Sequence, residues 1–371
     1  MDFTVEQHAF PSAVHENIYW KARSIPPLSR THEAVDPALR ESCAALHGFV
    51  MAMLADMYID PGAYHLPAGK LEEFLGGRSV HEVKREQPAR FKTLYGQASH
   101  GVSQYMHLLF WLGYGGSVEG GAVLVSAEML QNIARRVSTS VSPIKLEKRM
   151  EALGRAGLVM ETPPSGGARF TSRDYPGMFP ALAALAGSKG FEFFDFRAVG
   201  GAWKPGHDEF FAPLFAAQRE VAYAVHDFAM QRKMRVTLNA NWGVLYHLKG
   251  RHIMTIKTGD DIGRFLSVNV VAKDKTDVVE VVGERLGREP PELRELALNR
   301  LSGCDANRCL NCSTFASGRY VTILDRRHQM CGEGVIRYDW RDPAPADIAA
   351  IKRLIAVRCE VIDEALTANK G

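Results

Sequence analysis

Four of the chain's six cysteines fall within 28 residues, at Cys304, Cys309, Cys312 and Cys331. Their spacing is Cys-x4-Cys-x2-Cys-x18-Cys. Close thiolates followed by one distant ligand suit a single tetrahedral metal centre, in which a short knuckle supplies three donors and a returning strand closes the sphere. Gly303, Asn307, Asn311 and Gly332 flank the four and favour tight turns that aim backbone N–H groups at sulfur. Four protein ligands leave no position open for water, so the centre points to structure or sensing rather than hydrolysis. The plainer alternative, ordinary buried thiols, suits Cys43 and Cys359, which stand alone in helical stretches. His328 lies three residues before Cys331 and reads as an outer or surface residue rather than a ligand.

Between the ligands, Gly318 to Leu324 reads as a turn and strand, which is similar to a zinc-ribbon β element. Structural zinc is the expected cofactor. An iron–sulfur cluster is the rival, because three cysteines at x4 and x2 spacing with a distant fourth also resemble the plant-type ferredoxin pattern. That likeness covers only those few positions.

A second set of residues carries charge instead of sulfur. Between Arg135 and Arg155 stand Arg135, Arg136, Lys145, Lys148, Arg149 and Arg155 against Glu147 and Glu151. The order around them is a short strand at Val123-Leu124-Val125, a helix opened by Ser126, a turn at Ser138-Thr139-Ser140, a second helix, and a hairpin. Ser142 as N-cap and Pro143 at the first position predict the start of the second helix, and Leu146, Met150 and Leu153 its apolar face. Leu158 to Glu161 and Ala168 to Thr171 form the strands that follow, joined by Pro163-Pro164-Ser165-Gly166-Gly167.

This segment resembles the winged helix-turn-helix regulators of the MarR and ArsR kind, whose recognition helix commonly ends in a Leu-x-x-x-Gly-Leu-Val phrase. Here the phrase is Leu153-Gly154-Arg155-Ala156-Gly157-Leu158-Val159. The resemblance covers about 60 of 371 residues. It implies that double-stranded DNA is the partner, that the second helix enters the major groove, and that the wing meets the backbone. Placed by position, the DNA-contacting residues would be Ser140, Ser142, Lys145, Lys148 and Arg149, with Arg169 on the wing. Lysine and arginine neutralise phosphate, and serine hydroxyls bond its oxygens. The alternative is a winged helix used only for protein contacts, its charges a solvated face.

The elements that position these residues divide into three expected domains. Residues 1–118 read as all-helical, with Leu39, Cys43, Leu46, Val50, Met53 and Leu54 at helical spacing and a further buried helix from His100 to Tyr114. The five glycines in Gly113–Gly121 read as a hinge into the winged helix, residues 119–188. Residues 189–371 read as an α+β domain. It comprises an aromatic extended piece at Phe191–Phe196, a helix from Asp208 to Lys233, strands at 234–238, 243–248, 252–257 and 265–271, helices at 278–286 and 291–301, the cysteines, and a helix closing at 345–366. The fold class expected is therefore α+β multidomain.

Bulk composition excludes little. Net charge is +3, from Lys+Arg 45 and Asp+Glu 42, so only a local patch can argue for nucleic acid. The first six residues lack a basic region followed by an apolar run, and Cys43–Met57 is interrupted by His47 and Asp56. A cytoplasmic protein without a membrane span is expected. No nucleophile–base pair stands out, and His207-Asp208-Glu209 reads as a polar helix start. The expected function is a DNA-binding transcriptional regulator. It would be a homodimer through the helices near 41–57 and 99–114, metal-stabilised or metal-sensing, and open to a small-molecule or redox effector. A scaffold protein and an iron–sulfur redox protein are the alternatives.

Overall fold

The computed structural model describes residues 1–31, 35–78, 83, 86–139, 143–164, 166–188, 191–199, 201, 203–239, 243–258, 266–273, 279–302, 319–330 and 336–368. The fold is mixed α+β, with three sheets among the described residues. Two compact units share the chain: Met1–Arg78 with Glu86–Glu209, and Ser79–Arg85 with Phe210–Gly371. Most of residues 1–118 and all of 119–188 lie in the first of these units.

In the first unit, α1 (Ala13–Ser24) buries Val14, Ile18 and Ala22 along one stripe and stops before Pro26-Pro27. Helix α2 (Arg40–Ile59) buries Leu46, Val50, Met53 and Met57, spaced to share a face. Among the described residues one stretch, Pro37–Ile59, is long and apolar enough by length and composition to cross a membrane. Its Cys43, Leu46, Phe49, Val50, Met53 and Leu54 are buried in the protein core. Two further helices follow, α3 (Lys70–Leu75) and the 28-residue α4 (Pro88–Gly115).

The glycines after Leu112 do not form a hinge. Gly113 and Gly115 lie in the last turn of α4, and Gly120–Gly121 make the turn of a hairpin. Its strands are β1 (Ser117–Glu119) and β2 (Ala122–Val125). Both turn glycines have positive φ, +55° and +77°, as a two-residue hairpin turn demands. A Cβ on Gly113 would stand 2.6 Å from the Leu182 carbonyl oxygen, so this glycine admits α7 (Phe179–Ala186) to close packing.

Next come α5 (Ala127–Val137), α6 (Leu146–Arg155), β3 (Leu158–Glu161) and β4 (Ala168–Ser172). The sheet order is β1-β2-β4-β3, all antiparallel. Ser126 caps α5, its Oγ accepting from the Met129 N–H at 3.2 Å. Helix α6 opens at Leu146, with Lys145 extended as its N-cap, later than Pro143 suggested. After α6 the chain turns at Gly157 (φ +91°), where a Cβ would meet the Asp174 carboxylate. Helix α7 lacks a cap of its own; buried Ser42 of α2 supplies one, accepting from the Ala181 N–H at 2.8 Å.

In the second unit, a six-stranded antiparallel sheet runs in the order β5-β6-β7-β8-β12-β9. The strands are β5 (Arg235–Asn239), β6 (Gly243–Leu248), β7 (Arg251–Lys257), β8 (Ser267–Lys273), β9 (Leu301–Ser302) and β12 (Ile336–Arg341). The expected hairpin at Lys249-Gly250 joins β6 to β7, both turn residues having positive φ. Tyr246, Met254, Val270 and Tyr338 share one cross-strand row, and Val244, Ile256, Val268 and Trp340 another on the same buried face.

Helix α8 (Ala216–Gln231) packs on that face through a 2.8 Å hydrogen bond between His226 Nδ1 and the Tyr246 hydroxyl. A short helix, His207–Phe211, precedes it, so the continuous helix expected from Asp208 is broken around Pro213. In the first unit, the aromatic stretch expected as extended instead makes two 3₁₀ turns, Phe191–Phe193 and Phe196–Ala198; Asp195 caps the second. Helices α9 (Val279–Gly287), α10 (Pro291–Arg300) and α11 (Ile348–Ala368) complete the second unit, with a separate hairpin of β10 (Arg319–Ile323) and β11 (Arg326–Met330).

Candidate nucleic-acid interface and cysteine segment

Strand β2, helices α5 and α6, and the β3–β4 hairpin follow one another in the order expected for a winged helix, with α4 ahead of them. Strand β4 pairs with both β2 and β3. Helix α6 is held from within by Leu146, Met150 and Leu153, all buried.

The six residues expected to face DNA fare differently. Ser140 and Ser142 lie outside the described residues. Lys145 is exposed at the start of α6. Lys148 is exposed and pairs with Glu151 at 2.7 Å, one turn along. Arg169 on the wing pairs across the hairpin with Glu161 at 3.0 Å.

Arg149 is a correction. It was expected on the solvent side of the helix, yet it is 1% exposed and points inward. Its guanidinium sits 5.0 Å from the centroid of the Tyr105 ring on α4. Burial holds its pKa below the usual arginine range, and burial pushes the Tyr105 hydroxyl up to about 12. The reason is the helical repeat. Position 149 lies three residues after Leu146 and four before Leu153, on the apolar stripe itself.

Arg155 is also committed. Its Nε meets Asp56 Oδ2 at 2.9 Å, in the last turn of α2, and its Nη2 meets Asp60 Oδ2 at 3.5 Å, just after that helix. Asp56 also accepts from the Tyr64 hydroxyl at 2.8 Å, and the Arg155 hydrogen bonds hold its carboxyl below the ordinary range. Tyr105 in turn donates to the Tyr64 carbonyl at 2.8 Å. Sequence reasoning gave no role to this Asp56–Tyr64–Tyr105 anchor; Asp56 registered only as a break in an apolar window.

The local excess of four positive charges therefore does not all face outward. On the open side of α6, Lys145 and Lys148 alternate with Glu147 and Glu151. Arg135 reaches the side chain of Asn132, and Arg136 lies 4.0 Å over the Trp111 ring while staying exposed.

Cys304, Cys309, Cys312 and Cys331 lie outside the described residues. Ser302, two residues before Cys304, pairs with Arg337. Met330, immediately before Cys331, pairs with Arg319, seven residues after Cys312. Among the described residues no group of three or more His, Cys, Asp or Glu could hold a metal. Cys43 and Cys359 are buried and free, as small hydrophobes, and burial pushes each thiol up to about 11. Glu209 pairs with Arg197 at 2.8 Å and accepts from the Gly206 N–H, which makes the His207-Asp208-Glu209 run a structural helix start.

No protein-family model matches the chain, and neither the curated proteins nor the solved structures include a match.

Proposed function

We propose that the chain is a DNA-binding transcriptional regulator that reads duplex DNA through α6 and the β3–β4 wing. The observation that carries this is the strand–helix–helix–hairpin order with its β2-β4-β3 pairing, which leaves the outer side of α6 open. Lys145, Lys148 and Arg169 are the phosphate-facing residues, joined by Arg135. The Lys148–Glu151 and Arg169–Glu161 pairs are solvent-exposed and contribute little, so both cations can turn to phosphate at small cost. Arg149 and Arg155 are excluded and set the pose of α6 instead.

The regulator acts as a cytoplasmic homodimer on two half-sites. Cys304, Cys309, Cys312 and Cys331 hold structural zinc in the second unit, an iron–sulfur cluster being the alternative. Two pairings support one shared centre: Ser302–Arg337 joins the chain before the cysteines to the chain after them, and Arg319–Met330 folds back the stretch between Cys312 and Cys331. Bound there, the metal supplies a cross-link. Glu147 and Glu151 on the outer side of α6 favour a second reading, a protein-docking winged helix.

Fluorescence anisotropy on duplex DNA across a salt series separates the two. Four phosphate contacts per protomer, eight in the dimer, give a log–log salt slope of about −7. Lys145→Ala/Lys148→Ala should weaken binding to every sequence and flatten that slope by about 4, two contacts being lost from each protomer. Absent binding, or binding unmoved by the double substitution, selects the docking role.

A further inference from the structure

On the first unit, well apart in sequence from the winged helix, Lys70, Glu73, Phe74 and Arg78 face Gln87, Arg90, Thr93 and Leu94 across an open groove of about 690 Å³. That is within the range of small-molecule sites, roughly 300–1,000 Å³. Phe74 and Leu94 make its apolar floor, and the charged side chains rim it.

Three of the rim residues are cations and one is an acid. Arg78 is compensated by Glu86 at 2.8 Å, an exposed pair. Lys70 and Arg90 have no carboxylate partner among the described residues. Arg90 lies 4.7 Å over the Phe74 ring, which fixes the plane of its guanidinium and leaves the N–H edge free to donate. Helix α4 opens beside the groove without an acidic residue in its first turn, so it adds no competing carboxylate. Like charges gathered around one concavity repel, and a bound anion relieves that repulsion.

We propose that this groove binds a compact oligoanion, a small molecule bearing a phosphate or paired carboxylates. Lys70 supplies a point charge, Arg90 and Arg78 supply forked donors, and Gln87 and Thr93 supply neutral hydrogen bonds. The proposal is independent of DNA binding by α6.

Isothermal titration of the full chain with inorganic pyrophosphate at fixed ionic strength tests it, with sodium chloride of matched ionic strength as control. Saturable binding is expected, about tenfold weaker in Lys70→Ala/Arg90→Ala. Glu73→Gln, which removes the groove's own carboxylate, should tighten binding about threefold, a gain that misfolding cannot mimic. Absent binding to the wild type overturns the proposal. So does equal affinity in the double variant, or heat that the chloride control reproduces.

Discussion

Arg149 separates what residue type says from what residue placement says. A cation on a presumed recognition helix invites a phosphate, but this one is buried against Tyr105. Arg149→Met keeps most of the packed volume and removes a buried charge, so it should cost less than about 1 kcal/mol. Arg149→Ala leaves a hole and should cost about 2–4 kcal/mol, both read from urea denaturation. Neither should alter the salt slope of DNA binding; a flattened slope in the methionine variant would return Arg149 to the interface. His252 makes a pH prediction at the same scale. Burial, partly opposed by its hydrogen bond to the Met254 carbonyl, holds its pKa near 4, with His247, Arg337 and Arg358 adding to the depression. The unfolded chain therefore binds more protons than the native one between about pH 6.5 and 4, and stability must fall as pH drops through that window. Melting temperatures from pH 7.5 to 4.5 should decline less steeply in His252→Gln than in the wild type. An unchanged slope would assign the loss to other groups.

At the scale of elements, most of the sequence was legible because apolar spacing survives burial. The stripe through Leu46, Val50 and Met53, the alternation in β6, and the phrase from Leu153 to Val159 each fixed an element's type and approximate ends. The failures have local causes. Pro213 breaks a periodic stretch whose apolar pattern continues past it, and Asp195 folds an aromatic run into 3₁₀ turns by capping Arg197. The direction of Arg149 was available from its place on the stripe, but its charge argued the other way. The glycine run is the instructive case, since composition alone cannot tell flexibility from close packing. Gly113→Ala distinguishes them by sign. In a free helical or hinge position the change should stabilise by up to about 1 kcal/mol. Against the Leu182 carbonyl and the Ala186 methyl it must force α4 and α7 apart, and should destabilise by about 1–3 kcal/mol in thermal or urea unfolding.

For the whole molecule, α4 ties the helical segment to the segment that follows residue 118. Tyr105, midway along α4, receives Arg149 from α6, and α2 ends at the aspartates that hold Arg155. Neither arrangement leaves a trace in local sequence pattern, since each joins residues more than forty positions apart. The cysteine segment rests on its spacing alone, its four cysteines lying outside the described residues. In sequence, Cys304 follows the strand-paired Ser302 by two residues. Cys331 directly follows a residue paired to β10. A metal bridging them would close the loops at both ends, a constraint worth most where the intervening chain has the fewest other contacts. The purified protein should therefore release about one zinc per chain when its thiols are blocked with a mercurial, or show visible absorption if the centre is iron–sulfur. Chelation, or Cys309→Ser, should lower the melting of the second unit while leaving that of the first unit, and any DNA binding by α6, intact. Metal-free protein with an unchanged melting profile would sink the shared centre.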